Sequence, residues 1–333
     1  MPNQLAPETA WRPTASLSNL QLRARLLRHI RDYFAEQQVL EVDTPILSAA
    51  GASDVAIDSL MSHVYGPGFA DGQSMYLQTS PEYAMKRLLA AGSGPIYQIC
   101  KVFRDGESGR RHSPEFTLLE WYRPGFDHHR LMDEVEELVS RLLGLDCVAE
   151  RISYIDLFQC YLDLNPLDVD VATLQACAVQ HGITVSDLGH DRDVWLDLLL
   201  SHIIEPQLVG AVAGQVRLVF VYDYLPSQAA LAQVNSQGLA ERFELYLDGV
   251  ELANGYHELA DATEQRHRID ADNERRREMG KSEMPVDEHL LAALKCGLPD
   301  CAGVALGLDR LMMCAAGVDD LKQVLTFPLE TGL

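Results

Sequence analysis

The stretch IYQICKVFRDGESGRRHSPEFTLLEWYRP, residues 96–124, constrains the chain more than any other. Ile96–Phe103 is mostly apolar and Phe116–Tyr122 is aromatic-rich, so the segment reads as strand, polar loop, strand. The loop holds Arg104, Arg110 and Arg111, the acids Asp105 and Glu107, and His112. Along the second strand the two-residue period puts Phe116, Leu118, Glu120 and Tyr122 on one face. A ring, a carboxylate and a phenol then share a surface beside a loop rich in cationic donors. A bare hairpin has no need of that set. A site taking a phosphorylated planar ligand next to a cationic one does.

RFELYLDGVELANGYHEL (242–259) is the second informative stretch. Asp248-Gly249 between alternating apolar residues signals a two-residue hairpin turn. Leu247 then pairs with Val250 and Tyr246 with Glu251, and Glu244 lies on the same face, diagonal to Glu251, with α-carbons about 7 Å apart. Two carboxylates placed so closely repel unless a cation sits between them. Magnesium, a hard ion held by one or two carboxylates plus phosphates, fits; so does a plain solvated acidic face. Asn254-Gly255 is expected to interrupt the strand, with a bulge there returning Glu258 to the same face.

The remaining elements follow in order. Asn19 or Ser18 is expected to cap a helix carrying Leu22, Leu26, Ile30 and Phe34. That helix leads into VLEVDTPIL, a short strand ended at Pro45, whose missing N–H marks an edge or a subunit boundary. Residues 51–79 read as loop and short strand. Ser80 is expected to cap a helix with Pro81 at its first position, Glu82 complementing the dipole and Gly92 beyond its end. Asp127–Leu143 reads as another amphipathic helix. From about 150 to 213 the pattern is helical, and the histidines there (His181, His190, His202) read as structural. Strand character returns at Val216, and CAGVALGLDRLMMCAAG (301–317) is a glycine-punctuated strand entering a helix. Neither GxxxxGK[ST] nor GxGxxG occurs, so both common nucleotide motifs are absent.

Composition excludes several classes. The formal charge is −22, with 27 Lys and Arg against 49 Asp and Glu, which argues against a phosphate-gripping nucleic-acid surface. The densest basic run, Arg275-Arg276-Arg277, reads as a solvated helix face within a mixed-charge segment. No long apolar run or signal sequence is present, and seven cysteines without CxxC pairs fit a reduced cytoplasm.

Taken together, three segments resemble the motifs of class II aminoacyl-tRNA synthetases: VLEVDTPIL the first, FRDGESGRRHSPEFTLLEWYRP the second, GVALGLDRL the third. TSPEYAMKRLL and FELYLDGVELANGYHEL narrow the resemblance to the lysine branch. It covers about 20–145 and 215–330. The lysyl-tRNA synthetases carry an N-terminal OB-fold that reads the anticodon, whereas about 18 residues precede the first helix here. That difference, the helical insertion and the WYRP ending resemble the elongation factor P–lysine ligase family, which charges a protein lysine instead of a tRNA.

The resemblance implies an α+β fold: an antiparallel sheet flanked by helices, one catalytic domain over 18–333 after a flexible leader (1–17), with 150–213 a helical insertion. It implies a cytoplasmic homodimer with the first motif at its interface. ATP, Mg2+, lysine or (R)-β-lysine, and elongation factor P are the implied ligands and partner, with no stable tRNA binding and no membrane. It assigns Arg104 to the ATP α-phosphate and the amino acid carboxylate, and His112 to the outer phosphates. Phe116 and Arg310 would sandwich the adenine, with Asp105, Gly106, Glu107, Ser113, Leu252 and Gly307 around the nucleotide. Glu244 and Glu251 would hold magnesium. Glu82, following Ser80 and Pro81, would take the amino group near the substrate carboxylate. Glu120, Tyr122, Asn254 and Glu258 would line the pocket for the side-chain ammonium.

Three departures stand out. Where the second motif has Arg-x-Glu, this chain reads Arg104-Asp105-Gly106, with Glu107 one place later. Ser113 replaces an asparagine. Ala305 replaces a glycine of the lysyl-tRNA synthetases, and its methyl in the pocket floor would favour a β-amino acid. The alternatives are a truncated lysyl-tRNA synthetase and a non-catalytic amino acid or adenylate binder; retention of Arg104, Glu244, Glu251 and Arg310 argues against the latter.

Overall fold

The computed structural model describes residues 11–184, 188–210 and 216–329. Most of the expected leader falls on residues 1–10, outside the described residues, as do 185–187 and 211–213 of the expected insertion. The fold is α+β, built on a large, mostly antiparallel sheet. Its residues divide into two units: 1–122, 261–299 and 305–333 in the first, 123–260 and 300–304 in the second.

The first unit opens with α1 (Leu17–Glu36), whose buried stripe is Leu26, Ile30, Tyr33 and Phe34. Its cap is Ser16, accepting from the Asn19 N–H, not Ser18 or Asn19 as the sequence suggested. All three residues have cap-competent side chains; Leu17 at the first position is already helical. Strands β1 (Leu40–Glu41) and β2 (Leu47–Ser48) flank Pro45. Next come β3 (Met61–Gly66) and β4 (Phe69–Leu77), which with β2 make a three-stranded sheet where a looser loop was expected. Helix α2 (Glu82–Ala90) precedes the central hairpin, β5 (Ile96–Phe103) and β6 (Glu115–Pro124). That hairpin pairs Gln98 with Glu120 and Ile96 with Tyr122, as its alternation requires. β1 runs parallel to β5. Phe34 stacks on Tyr97 at 4.3 Å between ring centres and meets Trp121 edge-on at 5.5 Å, so α1 is locked to the hairpin by aromatic packing.

The second unit holds α3 (His128–Leu143, capped by Asp127), β7 (Glu150–Ser153), α4 (Tyr154–Leu162), α5 (Val171–Gln180), α6 (Arg192–Leu199), β8 (Leu218–Tyr224), β9 (Ala240–Leu247) and β10 (Val250–His257). The stretch read as helical from residue 150 begins instead with β7, parallel to β8. Helices α4–α6 bury Tyr154, Phe158, Leu174, Trp195 and Leu196 against Val219, Val221, Tyr224 and Tyr246. They roof the strands of this unit. The first unit is completed by α7 (Ala262–Glu278), α8 (Glu288–Gly297) and α9 (Leu308–Ala316). β11 (Cys301–Gly307) carries the chain from the second unit into the first.

Candidate active site

In the first unit, β6 presents Glu120 almost fully buried, at 2% exposure. Tyr122, two residues on and hence on the same face, donates its hydroxyl to one carboxylate oxygen at 2.7 Å. Ser80 donates to the other at 2.8 Å. Burial, and next the charge of Glu82, push the Glu120 carboxyl up to about 7. Ser80 also accepts the Glu82 N–H, while Pro81 rather than Ser80 occupies the cap position of α2. Glu82, expected beside a substrate amino group, lies 2.7 Å from the Lys86 ammonium one helical turn later. Lys86 is itself buried at 1% exposure, which an amphipathic reading of a lysine in a helix gives no reason to expect.

The second-motif loop follows β5. Gly106 has φ +78°, a left-handed conformation that a side chain disfavours, and its N–H bonds the Asp105 carboxylate. Asp105 donates its own N–H to the Asp58 carbonyl at 2.7 Å. Asp58 is in turn clamped: Arg276 and Lys281 reach its two carboxylate oxygens at 2.7 and 2.9 Å. Arg276, 1% exposed, also donates to the carbonyls of Asp54 and Ile57. The basic run is therefore not simply a solvated face, because its middle arginine is a buried anchor for the segment under this loop. Glu107 reaches Arg104 at 3.5 Å, so the displaced glutamate meets the arginine that begins the motif. The Arg104 guanidinium lies over the Phe116 ring, 5.0 Å from its centre. Ser113 is buried.

His112 closes a tight turn with Gly109, and Arg310 from α9 reaches its Nε2 at 2.8 Å. A guanidinium only donates, so Nε2 is the acceptor and the imidazole is neutral. Desolvation, followed by the Arg310 charge, lowers the His112 pKa in agreement. On β11, Ala305 and Gly307 alternate with buried Val304 and Leu306, which places the two expected site residues on one face. Asp309, 2% exposed, accepts the Thr117 N–H at 2.8 Å and the Arg23 guanidinium at 2.6 Å. It ties α9 to both β6 and α1.

The second unit carries the carboxylate hairpin. The turn is Asp248-Gly249, both with positive φ, and the pairs Leu247–Val250 and Tyr246–Glu251 form as expected. The bulge, however, falls at Leu252 and not at Asn254-Gly255. Asn254 and Gly255 stay in the ladder opposite Glu244 and Phe243. Gly255 serves close packing: a Cβ there would lie 2.4 Å from the Phe243 ring and 3.0 Å from the Gly303 carbonyl. The earlier bulge flips the parity of β10, so Asn254 joins Glu251 and Glu244 on one face and Glu258 follows with it. Glu244, 7% exposed, accepts from Arg242 and Asn254 on one oxygen and from Tyr246 on the other. An ionised carboxylate offers about four lone-pair positions, so an oxygen site remains. With half-buried Glu251, this all-oxygen set fits a hard divalent cation that completes its shell with water and phosphate.

The sequence reading missed Lys86, Arg242, Asp309, Arg23 and Arg276. Two of them left a signal: Arg242 sits two residues before Glu244 on an alternating strand and so shares its face, and Lys86 follows Glu82 by four residues on a helix.

A family model for class II tRNA synthetases (D, K and N) matches residues 9–331. A protein of Photobacterium profundum named elongation factor P–(R)-β-lysine ligase is 51% identical over 323 residues, 96% of this chain and 98% of its own length. Proteins of the same name from Vibrio cholerae (50% identical; 96% of this chain and 97% of the relative) and Edwardsiella ictaluri (49%; 96% and 98%) match alike. The chain belongs to the class II tRNA synthetase family, in the branch of the elongation factor P–(R)-β-lysine ligases.

Proposed function

We propose that this chain activates (R)-β-lysine, or lysine, with ATP and transfers it to the ε-amine of a lysine on elongation factor P. The single observation that carries the reading is the near-full-length match to ligases of that name, with Glu120 as the group that reads the substrate. A buried carboxyl near neutrality, held by two hydroxyls, is arranged to receive an ammonium.

In the first step the substrate carboxylate attacks the ATP α-phosphorus; the bond to the β-phosphate oxygen breaks and pyrophosphate leaves. Arg104 neutralises the α-phosphate, His112 and Arg310 hold the outer phosphates and the adenine, and no protein bond forms. Asp105, Gly106, Glu107, Ser113, Phe116, Leu252 and Gly307 shape the nucleotide site. Mg2+, when bound, neutralises phosphate charge, and Glu244 and Glu251 would hold it. In the second step the neutral ε-amine attacks the acyl carbon, AMP leaves and the amine loses a proton. Glu82, Asn254, Glu258 and Tyr122 orient the substrate amines with Glu120, and Ala305 narrows the floor for a β-amino acid.

The protein acts as a cytoplasmic homodimer; exposed Leu40 and Leu47 on the first-motif strands support burial against a second copy. Among the described residues no helix is long and apolar enough to cross a membrane. Intact-mass analysis of elongation factor P after incubation with the protein, ATP and (R)-β-lysine tests the proposal. One added lysyl residue, formed without tRNA, is expected. An unchanged mass, with lysyl-tRNA formed instead, overturns it.

A further inference from the structure

The second unit holds a cluster that the ligase reaction does not use. His128 at the start of α3, Glu241 on β9 and His257 at the end of β10 bring ligand atoms within 4.8 Å of one another. Each histidine is also held from behind. His257 Nε2 is 2.7 Å from an Asp300 oxygen, while its Nδ1 bonds Glu241. His128 Nε2 is 3.2 Å from Asp223. With Nε2–H donating to Asp223, the lone pair of His128 sits on Nδ1. That atom is buried and has no hydrogen-bond partner, in a residue 4% exposed. An orphaned buried ring nitrogen is costly unless something accepts its lone pair. Asp223 adds a further sign of construction, since it takes φ +56° at a β8 irregularity between Tyr222 and Tyr224. Left-handed backbone at a non-glycine residue persists where the surroundings enforce it.

We propose that His128, Glu241 and His257 form a divalent metal site, suited to Zn2+, outside the ATP and amino acid site. The ligands are the two Nδ1 atoms and one Glu241 oxygen, with Asp223 and Asp300 accepting from the opposite ring nitrogens. Two histidines and a glutamate with a fourth position for water match zinc better than magnesium, which prefers oxygen donors. A carboxylate behind each metal-bound imidazole fixes its tautomer and raises its basicity. On binding, the proton shared by His257 Nδ1 and Glu241 leaves to solvent and a metal–nitrogen bond replaces the hydrogen bond. The edge of a tetrahedron with 2.0–2.1 Å bonds is roughly 3.3 Å, so side-chain shifts of about an ångström close the site. Because His257 immediately precedes Glu258, the metal would also fix the end of β10.

Titration of the metal-stripped full-length protein with Co2+ tests this. One equivalent should give the intense visible absorption of a four-coordinate site, bleached by one equivalent of Zn2+. His257→Gln and Glu241→Gln, both at partly exposed positions, should abolish it, and Asp300→Asn should weaken binding by about 10–100-fold. Glu251→Gln, on the separate carboxylate face of β10, should keep it. Absence of the band in the wild type overturns the proposal and leaves the cluster a histidine–carboxylate ion pair. A band lost in Glu251→Gln but kept in Glu241→Gln overturns it too.

Discussion

Glu120 in the first unit and Glu244 in the second are nearly equally buried, at 2% and 7% exposure, yet they are compensated in opposite ways. Glu244 has its counter-charge built in: largely buried Arg242 pairs with it, and although burial opposes it, the attraction of Glu244 together with Tyr256 and Tyr224 leaves the arginine's pKa raised. Glu120, among the described residues, is held by two hydroxyl donors, and with burial and the Glu82 charge outweighing these and the nearby Lys86 cation it rises to about 7. On the function proposed above, Glu120, the less fully compensated of the two, is the one that takes a substrate ammonium, while Glu244 keeps one oxygen site for a metal ion.

Removing each counterpart separates the two cases. Arg242→Met strands the Glu244 charge and should cost about 3–5 kcal/mol in unfolding free energy by denaturant titration, because a broken buried pair leaves an uncompensated ion. Glu120→Gln should leave stability almost unchanged below pH 4.5, where the wild-type carboxyl is also neutral. It should instead reduce kcat/KM for amino-acid-dependent pyrophosphate exchange by roughly 30-fold or more, the equivalent of about 2–5 kcal/mol for an unpaired buried ammonium. Equal loss of stability in both variants would erase the distinction.

The pH profile sharpens it further. Folding raises the Glu120 pKa from 4.5 to about 7, so the folded state holds an extra proton in that window. Its contribution to stability is fully present below pH 4.5 and is lost as pH rises through 7. Glu120→Gln should remove that decline from a series of melting curves. Substrate affinity should run the other way in the wild type, tightening as pH rises through 7 and Glu120 ionises, as read by calorimetry with lysine. Smallest is Tyr122→Phe, which deletes one donor to Glu120. It should cost about 1 kcal/mol and move the midpoint of the affinity profile upward, since the hydroxyl stabilises the ionised form.

The parts legible in the sequence were those with local chemistry. Asp248-Gly249 specified its own turn because both residues tolerate positive φ, and the pairing up to Glu251 followed. The bulge at Leu252 did not show, because an apolar residue in an apolar run carries no turn signal, whereas Asn254-Gly255 carries one and is a paired strand. Gly255 is small because Phe243 lies against it, a fact belonging to the packed sheet. Arg276 is chemically identical to Arg275 and Arg277, and contacts with Asp54, Ile57 and Asp58, distant in sequence, single it out. The spacing of Glu82 and Lys86 is legible as a helical ion pair, but nothing local shows that Lys86 is buried.

The clamp on Asp58 has a consequence for how the protein is made. Asp58 supports the backbone of Asp105, but Arg276 lies 218 positions further along the chain, and Lys281 lies 223. During vectorial synthesis the segment under the second-motif loop is therefore complete well before its anchors leave the ribosome. Closing so long a loop is a late, entropically costly event. A nascent chain halted before residue 276 would hold the central hairpin with its loop unclamped, so this loop gains its support only near the end of translation.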